Sequence, residues 1–200
     1  MTTYPRSETL LGVALAPMDW TRAASLVIAF SLFNALAAQF SLEVGPIPIT
    51  GQSFAVTLTG ALLGSRLGAL TLVVYILEGC SGLPFFAHSA SGIGVLFGVS
   101  GGYLVSFPAA AYITGVFAEH GWDRRFLTAA AAMAIGSVVI LLAGWAWLVV
   151  LKTPPVTAFQ IGVARFIVGD IIKVLLAAAV LPTGWSILKR KASQPPGRKG

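Results

Sequence analysis

The chain has 200 residues, 56% of them hydrophobic and 10% charged, where a soluble domain carries about 25% charged residues. So little charge cannot cover a water-facing surface, which makes an integral membrane protein the expected class. The net charge of +6 would suit a nucleic-acid partner, but the placement of the basic residues, given below, excludes that reading.

In chain order, the first apolar run, Leu10 to Ala16, is short and leads into Pro17-Met18-Asp19-Trp20 rather than a small-residue cleavage site. Residues 1–20 are therefore expected to be retained as a cytoplasmic N-terminal segment. A helix needs about 20 residues to cross a hydrocarbon layer of roughly 30 Å, and Ala23–Phe40 meets that need. Ser53–Gly79 is too long for one ordinary span and short for two, and it holds Gly64-Ser65-Arg66-Leu67-Gly68. It reads as two short helices, Ser53–Leu63 and Leu67–Leu77, joined by a tight turn. Val99–Ala118, Phe126–Leu151 and Phe159–Leu181 complete a six-helix transmembrane domain over residues 21–185. Residues 186–200 are basic and rich in Pro and Gly, and are expected to form a disordered tail.

Charge placement decides between six spans and five. With six, both termini are cytoplasmic, and the inner side carries Arg6, Arg22, Arg66, Arg124, Arg125, Lys189, Arg190, Lys191, Arg198 and Lys199. The outer loops then hold only Lys152, as the positive-inside rule requires. With five, Arg66 would lie in the bilayer, and the Arg124-Arg125 loop would face outwards. The expected fold class is thus an all-α integral membrane protein, a bundle of six transmembrane helices. Its basic residues mark topology, and no nucleic acid is expected as a partner.

The outer loops, Leu42–Gly51 and Cys80–Gly98, are apolar yet full of Gly, Pro and small polar residues. Such backbone is not tolerated against lipid, but it can fold over the bundle and cap a cavity. Phe85-Phe86 and His88-Ser89 suit a lid with both apolar and hydrogen-bonding contacts.

Asp170 and Lys173 lie three residues apart in the last apolar segment, on one helix face. Ionisable groups at that depth face a bundle interior, a partner or a ligand. Two readings stand. One is an ion pair that fixes helix packing. The other is a ligand site, in which the carboxylate accepts N–H groups and the ammonium meets a carboxylate or carbonyl. Arg165 lies about 140° round the helix from Asp170 and reads as snorkelling to the headgroups. Its alternative role is to attract an anionic ligand at the mouth, near Glu43 or Glu78.

Gln52 is a candidate cavity lining, and Tyr103, after Gly101-Gly102, is either a wall of the site or an interfacial anchor. Asn34 and Gln39 suit hydrogen bonds between helices, and the pairs Ser25/Ala29 and Ser31/Ala35 suit close helix docking. The lone Cys80 excludes an internal disulfide, and His88 and His120 form no metal motif. The chain has no Walker loop, no HExxH and no nucleophile with a base. Neither enzyme activity nor a cofactor is expected, and the chain cannot power transport by hydrolysing ATP itself.

Four stretches occur in a telling order: Pro48-Ile49-Thr50-Gly51-Gln52-Ser53-Phe54-Ala55-Val56; Gly60 to Gly68; Gly82-Leu83-Pro84-Phe85-Phe86-Ala87 with Gly98 to Leu104; and F-I-V-G-D-I-I-K over 166–173. Together they resemble the signatures of the BioY family, the biotin-specific S components of energy-coupling factor (ECF) transporters. The sequence departs from the family pattern at Arg165 and Val168, where prolines are common, and at Val99-Ser100, where Pro-Thr is common. The resemblance implies six helices, both termini inside, and a biotin pocket beneath the two outer loops. It implies that Asp170 and Lys173 contact biotin and that the ligand-contacting residue of the second loop falls at about His88. Phe85, Phe86 and Tyr103 would suit biotin's apolar ring. The implied partners are a membrane scaffold (T component) and two ATPase subunits, in the cytoplasmic membrane of a prokaryotic cell. An S component for another vitamin, or a scaffold protein with a structural Asp170–Lys173 pair, are the alternative readings.

Overall fold

The computed structural model describes residues 9–42 and 47–193. Arg6, Glu43, Arg198 and Lys199, which have topology or mouth roles in the sequence reading, lie outside them. The elements are α1 (Leu10–Ala14), α2 (Trp20–Gln39), β1 (Ser41–Leu42), β2 (Ile49–Thr50), α3 (Gln52–Leu63), α4 (Ser65–Cys80), α5 (Gly94–Phe97), α6 (Gly101–Glu119), α7 (Phe126–Val150), α8 (Pro155–Phe159) and α9 (Ile167–Ser193). Each apolar segment expected from the sequence is helical over most of its length, and the last is interrupted, as described below. By length and composition α2, α6 and α7 can each cross a membrane. The outer surface is apolar, with Leu36, Leu127, Val150 and Val168 all more than 60% exposed, as lipid rather than water requires.

Asp19 starts α2 by accepting the Arg22 backbone N–H at 2.8 Å, which holds its carboxyl below the usual range. One face of α2 is buried at helical spacing through Val27, Ser31, Asn34, Ala35 and Ala38. Asn34 donates to Thr59 of α3 at 2.9 Å, and the Ser31 hydroxyl donates to Glu78 of α4. Of the two small-residue pairs, Ser31/Ala35 is buried and Ser25/Ala29 is exposed.

The turn between α3 and α4 takes a single residue, Gly64, at φ 88°, a conformation that a Cβ disfavours. Glu119, at the end of α6, accepts the Ser65 backbone N–H at 2.7 Å and its hydroxyl at 2.9 Å, which caps α4. Below this turn α3 and α6 cross backbone to backbone. A Cβ on Gly60 would come within 2.2 Å of the Ala111 carbonyl oxygen, and one on Gly115 within 2.4 Å of the Ser65 nitrogen.

Three sequence expectations need correction. The last apolar segment is not one straight span: α8 runs into a π turn, Gln160–Ala164, and the chain breaks at Arg165 and Phe166 before α9 begins. The tail expected to be disordered from residue 186 is helical through Ser193. Good helix formers continue to Lys191, basic groups favour the carboxyl end of a helix, and no proline intervenes before Pro195. The N-terminal segment is not separate from the bundle, because α1 packs on α3 and α9, and Leu10 rests against Gly184.

The turn between α6 and α7, Trp122–Arg124, buries Asp123. Its Oδ2 accepts the Trp185 indole N–H at 2.6 Å, and the Arg124 guanidinium lies 4.6 Å from the centre of that indole ring. Among the described residues, Asp123 Oδ1 has no hydrogen-bond partner. Burial pushes this carboxyl up to about 6, against the opposing pull of Trp185 and Arg124. The folded chain therefore keeps the Asp123 proton to higher pH than the unfolded chain, which releases it near 3.8. Stability falls as pH rises from about 4 to about 6 and returns as pH falls, by up to ~3 kcal/mol. Thermal unfolding in detergent at pH 5 and pH 7.5 should show a larger loss at the higher pH in the native chain than in Asp123→Asn. Parallel pH profiles would remove Asp123 as the cause.

Candidate functional site

The 12 residues of α3 cover only about 18 Å. Above α3 the chain is not helical but extended, through β2, which pairs with β1 in the register Ser41↔Thr50 and Leu42↔Ile49. A cavity of about 190 Å³ opens here, where one water in the liquid takes up about 30 Å³. Its floor is Ser53, Asp170 and Lys173; Tyr103, Leu104, Phe107, Ile140 and Phe166 form its walls. Ile47, Pro48 and Thr50 from the hairpin, with Phe86, Ala87, His88 and Ala90 from the α4–α6 loop, roof it.

The floor is a polar cluster in an apolar shaft. Asp170, 6% exposed, accepts the Ser53 hydroxyl at Oδ1 (2.8 Å) and the Ser137 hydroxyl at Oδ2 (3.2 Å). Lys173 Nζ donates to Ser53 Oγ at 3.1 Å and to Asp170 Oδ1 at 3.3 Å. That ion pair is longer than the roughly 2.7–2.9 Å of a tight charge-assisted hydrogen bond, and both side chains border the cavity. The pair is therefore not sealed between helices. It presents one carboxylate, one ammonium and a hydroxyl to whatever enters. Ser137 lies 13 residues before the end of α7, about 20 Å of helix, so the cluster is deep.

The other predicted site residues divide into two groups. His88, Tyr103, Gln52 and Phe86 border the cavity and Phe85 does not; Arg165, read from the sequence as snorkelling, also lies off the cavity lining. Tyr103 offers its ring, stacked on Phe166 at 5.9 Å, while its hydroxyl is used in donating to the Gly162 carbonyl at 2.8 Å. That bond satisfies a carbonyl in the π turn. Gln52 is engaged at both ends of its amide: Oε1 accepts from Thr50 Oγ1 at 3.0 Å, and Nε2 donates to Tyr75 Oη at 2.8 Å. Tyr75 in turn donates to the Phe85 carbonyl at 3.0 Å, so Gln52 links the two roof loops. Phe86 is 1% exposed, pressed on Gly79 and edge-on to Tyr75, and anchors its loop. Glu78 is held by Ser31, away from the cavity mouth.

Ser53 and Ser137 were not expected from the sequence. Ser53 carries no separate signal beside Gln52. Ser137 does, as the one hydroxyl residue between Ala129 and Val150.

Comparison with known proteins agrees with this architecture. The chain is 39% identical over 157 residues to a probable biotin transporter BioY of Pyrococcus horikoshii, covering 78% of this chain and 91% of that protein. It is 33% identical over 151 residues to a biotin transporter BioY of Thermotoga maritima, covering 76% and 88%. The crystal structure of an S component for biotin from an ECF-type ABC transporter shares the fold, with a TM-score of 0.75 at 20% identity over 88% of this chain and 93% of that one. The sequence profile of the BioY family spans residues 7–190, and the chain belongs to that family.

Proposed function

We propose that this multi-pass membrane protein captures biotin as the substrate-specific S component of an ECF transporter. The observation that carries the reading is the deep Asp170–Lys173–Ser53 floor beneath an apolar shaft roofed by two loops. Biotin joins a ureido ring, with N–H donors and a carbonyl, to an apolar sulfur ring and a carboxylate tail. The floor can accept N–H groups at Asp170 and donate from Lys173, while Tyr103 and Phe166 face apolar surface. His88 is the roof residue proposed to meet the ligand. The names of the relatives support biotin over other vitamins.

The end of the bundle that holds α1 gathers Arg22, Arg66, Arg124, Arg125, Lys189 and Arg190, whereas Lys152 is at the cavity end. This distribution supports six spans with both termini in the cytoplasm and the cavity facing outwards. The cell is a prokaryote and the bilayer its cytoplasmic membrane. A membrane scaffold (T component) and two ATPase subunits supply the energy, since these 200 residues hold no phosphate-binding loop.

Purified protein in detergent should bind labelled biotin saturably and one to one. Excess unlabelled biotin should displace it, and thiamine or riboflavin should not. Absence of saturable binding would overturn the proposal, and equal displacement by another vitamin would reassign the ligand.

A further inference from the structure

The roof segment 83–92 is tied at its ends to α4, by Leu83 N–H to the Glu78 carbonyl at 3.3 Å and Gly92 N–H to the Gly79 carbonyl at 2.8 Å, and its middle has an inner and an outer hold. Its inner hold is buried: the Phe86 ring sits on Gly79, and Tyr75 donates to the Phe85 carbonyl. Its outer hold is Gln39, an exposed side chain at the last turn of α2. Gln39 Oε1 accepts the Ser89 backbone N–H at 3.0 Å and the Ser89 hydroxyl at 3.3 Å. Its Nε2 donates to the Phe86 carbonyl at 3.1 Å and to the Ala35 carbonyl of its own helix at 3.1 Å, which orients the amide. The loop contacts lie on both sides of His88 in sequence. Between them His88 and Ser89 adopt φ values of 58° and 57°, a left-handed conformation that residues with a Cβ avoid. Two such residues in succession persist only where neighbouring contacts over-determine them. Backbone bonds within the loop, Phe86 N–H to the Ala90 carbonyl at 3.1 Å and Ala90 N–H to the Ala87 carbonyl at 3.2 Å, supply part of those contacts, and Gln39 adds to them on the side away from the core.

We infer that Gln39 is a positioning residue for the ligand site. It clasps the roof loop closed with His88 at the cavity, and so sets how long the bound molecule stays. The inference rests on the function proposed above. Because Gln39 is exposed, water can replace its loop partners at small net cost. The clasp therefore opens and recloses while the buried Phe86 anchor stays seated.

Gln39→Met keeps side-chain length and helix propensity while removing both amide atoms. In the ligand-free protein, amide hydrogen exchange over residues 83–92 is expected to accelerate by about fivefold or more, with α6 unchanged. Labelled biotin is expected to dissociate about five- to twentyfold faster, with a smaller change in association. Adding Ser89→Gly, which makes a positive φ free of strain, is expected to restore most of the slow dissociation. Exchange and dissociation equal to those of the native chain would overturn the clasp. So would fast release that Ser89→Gly does not restore, since that marks a general loosening of the loop. If the native chain binds no biotin, the proposed function fails, and hydrogen exchange alone decides the clasp.

Discussion

Asp170→Ala is expected to reduce biotin affinity at least ~100-fold, the largest effect of any single change at the cavity floor. The carboxylate accepts from two serine hydroxyls and faces the Lys173 ammonium. Its removal leaves Ser53 and Ser137 without their acceptor and Lys173 without its counter-charge at the bottom of an apolar shaft. An uncompensated charge in that position costs several kcal/mol, and the ligand must meet it without the group that orients it. Asp170→Asn keeps the shape and one acceptor oxygen, so its loss should be smaller, about 10-fold or more. Titration calorimetry on detergent-purified protein checks both, alongside melting curves to show that the variants are folded. Unchanged affinity in Asp170→Asn and in Lys173→Ala together would remove the pair from the ligand site.

Gly60→Val should have the largest effect on the fold itself. Lipid tails are as apolar as the side chains they replace, so helices in a bilayer associate through close packing rather than hydrophobic burial. The crossing of α3 and α6 is built on that close approach. A side chain at Gly60 would meet Ala111 backbone at 2.2 Å, and backbone has no alternative rotamer into which to retreat. We expect destabilisation of more than ~3 kcal/mol, seen as loss of the monodisperse peak in size-exclusion chromatography and a lower melting temperature. Gly94→Ala is the control, since a Cβ there has no neighbour within 4 Å. If the two variants melted alike, the crossing would have enough slack to discount this account.

Much of the fold was legible because lipid leaves the sequence few options. An apolar segment of the right length becomes a helix, and Gly64 next to Arg66 marks a turn at a charged surface. Asp170 and Lys173 were legible as a site for the same reason: in a run of hydrocarbon, a charge needs a partner. What was not legible depends on distant residues. The π turn at Gln160–Ala164 contains no proline, and the Tyr103 hydroxyl that bonds its Gly162 carbonyl comes from α6. The left-handed pair His88 and Ser89 carries no glycine to mark it, and part of what holds it, Gln39, comes from another helix. The last turns of α9 read as a tail because KRK resembles one, although the same charges suit a helix end.

The π turn also controls rotational phase. Ala158, Gly162, Phe166 and Asp170 are all buried, at a strict spacing of four residues. A straight α-helix advances about 400° in four residues, so each step would rotate the next residue some 40° further round. Over three steps Asp170 would be turned roughly 120° from Ala158 and would leave the interior for the lipid. The widened turn and the break after it absorb that drift. The carboxylate thus owes its inward aim to an irregularity roughly two turns above it, and helix regularity there would be incompatible with the cavity floor.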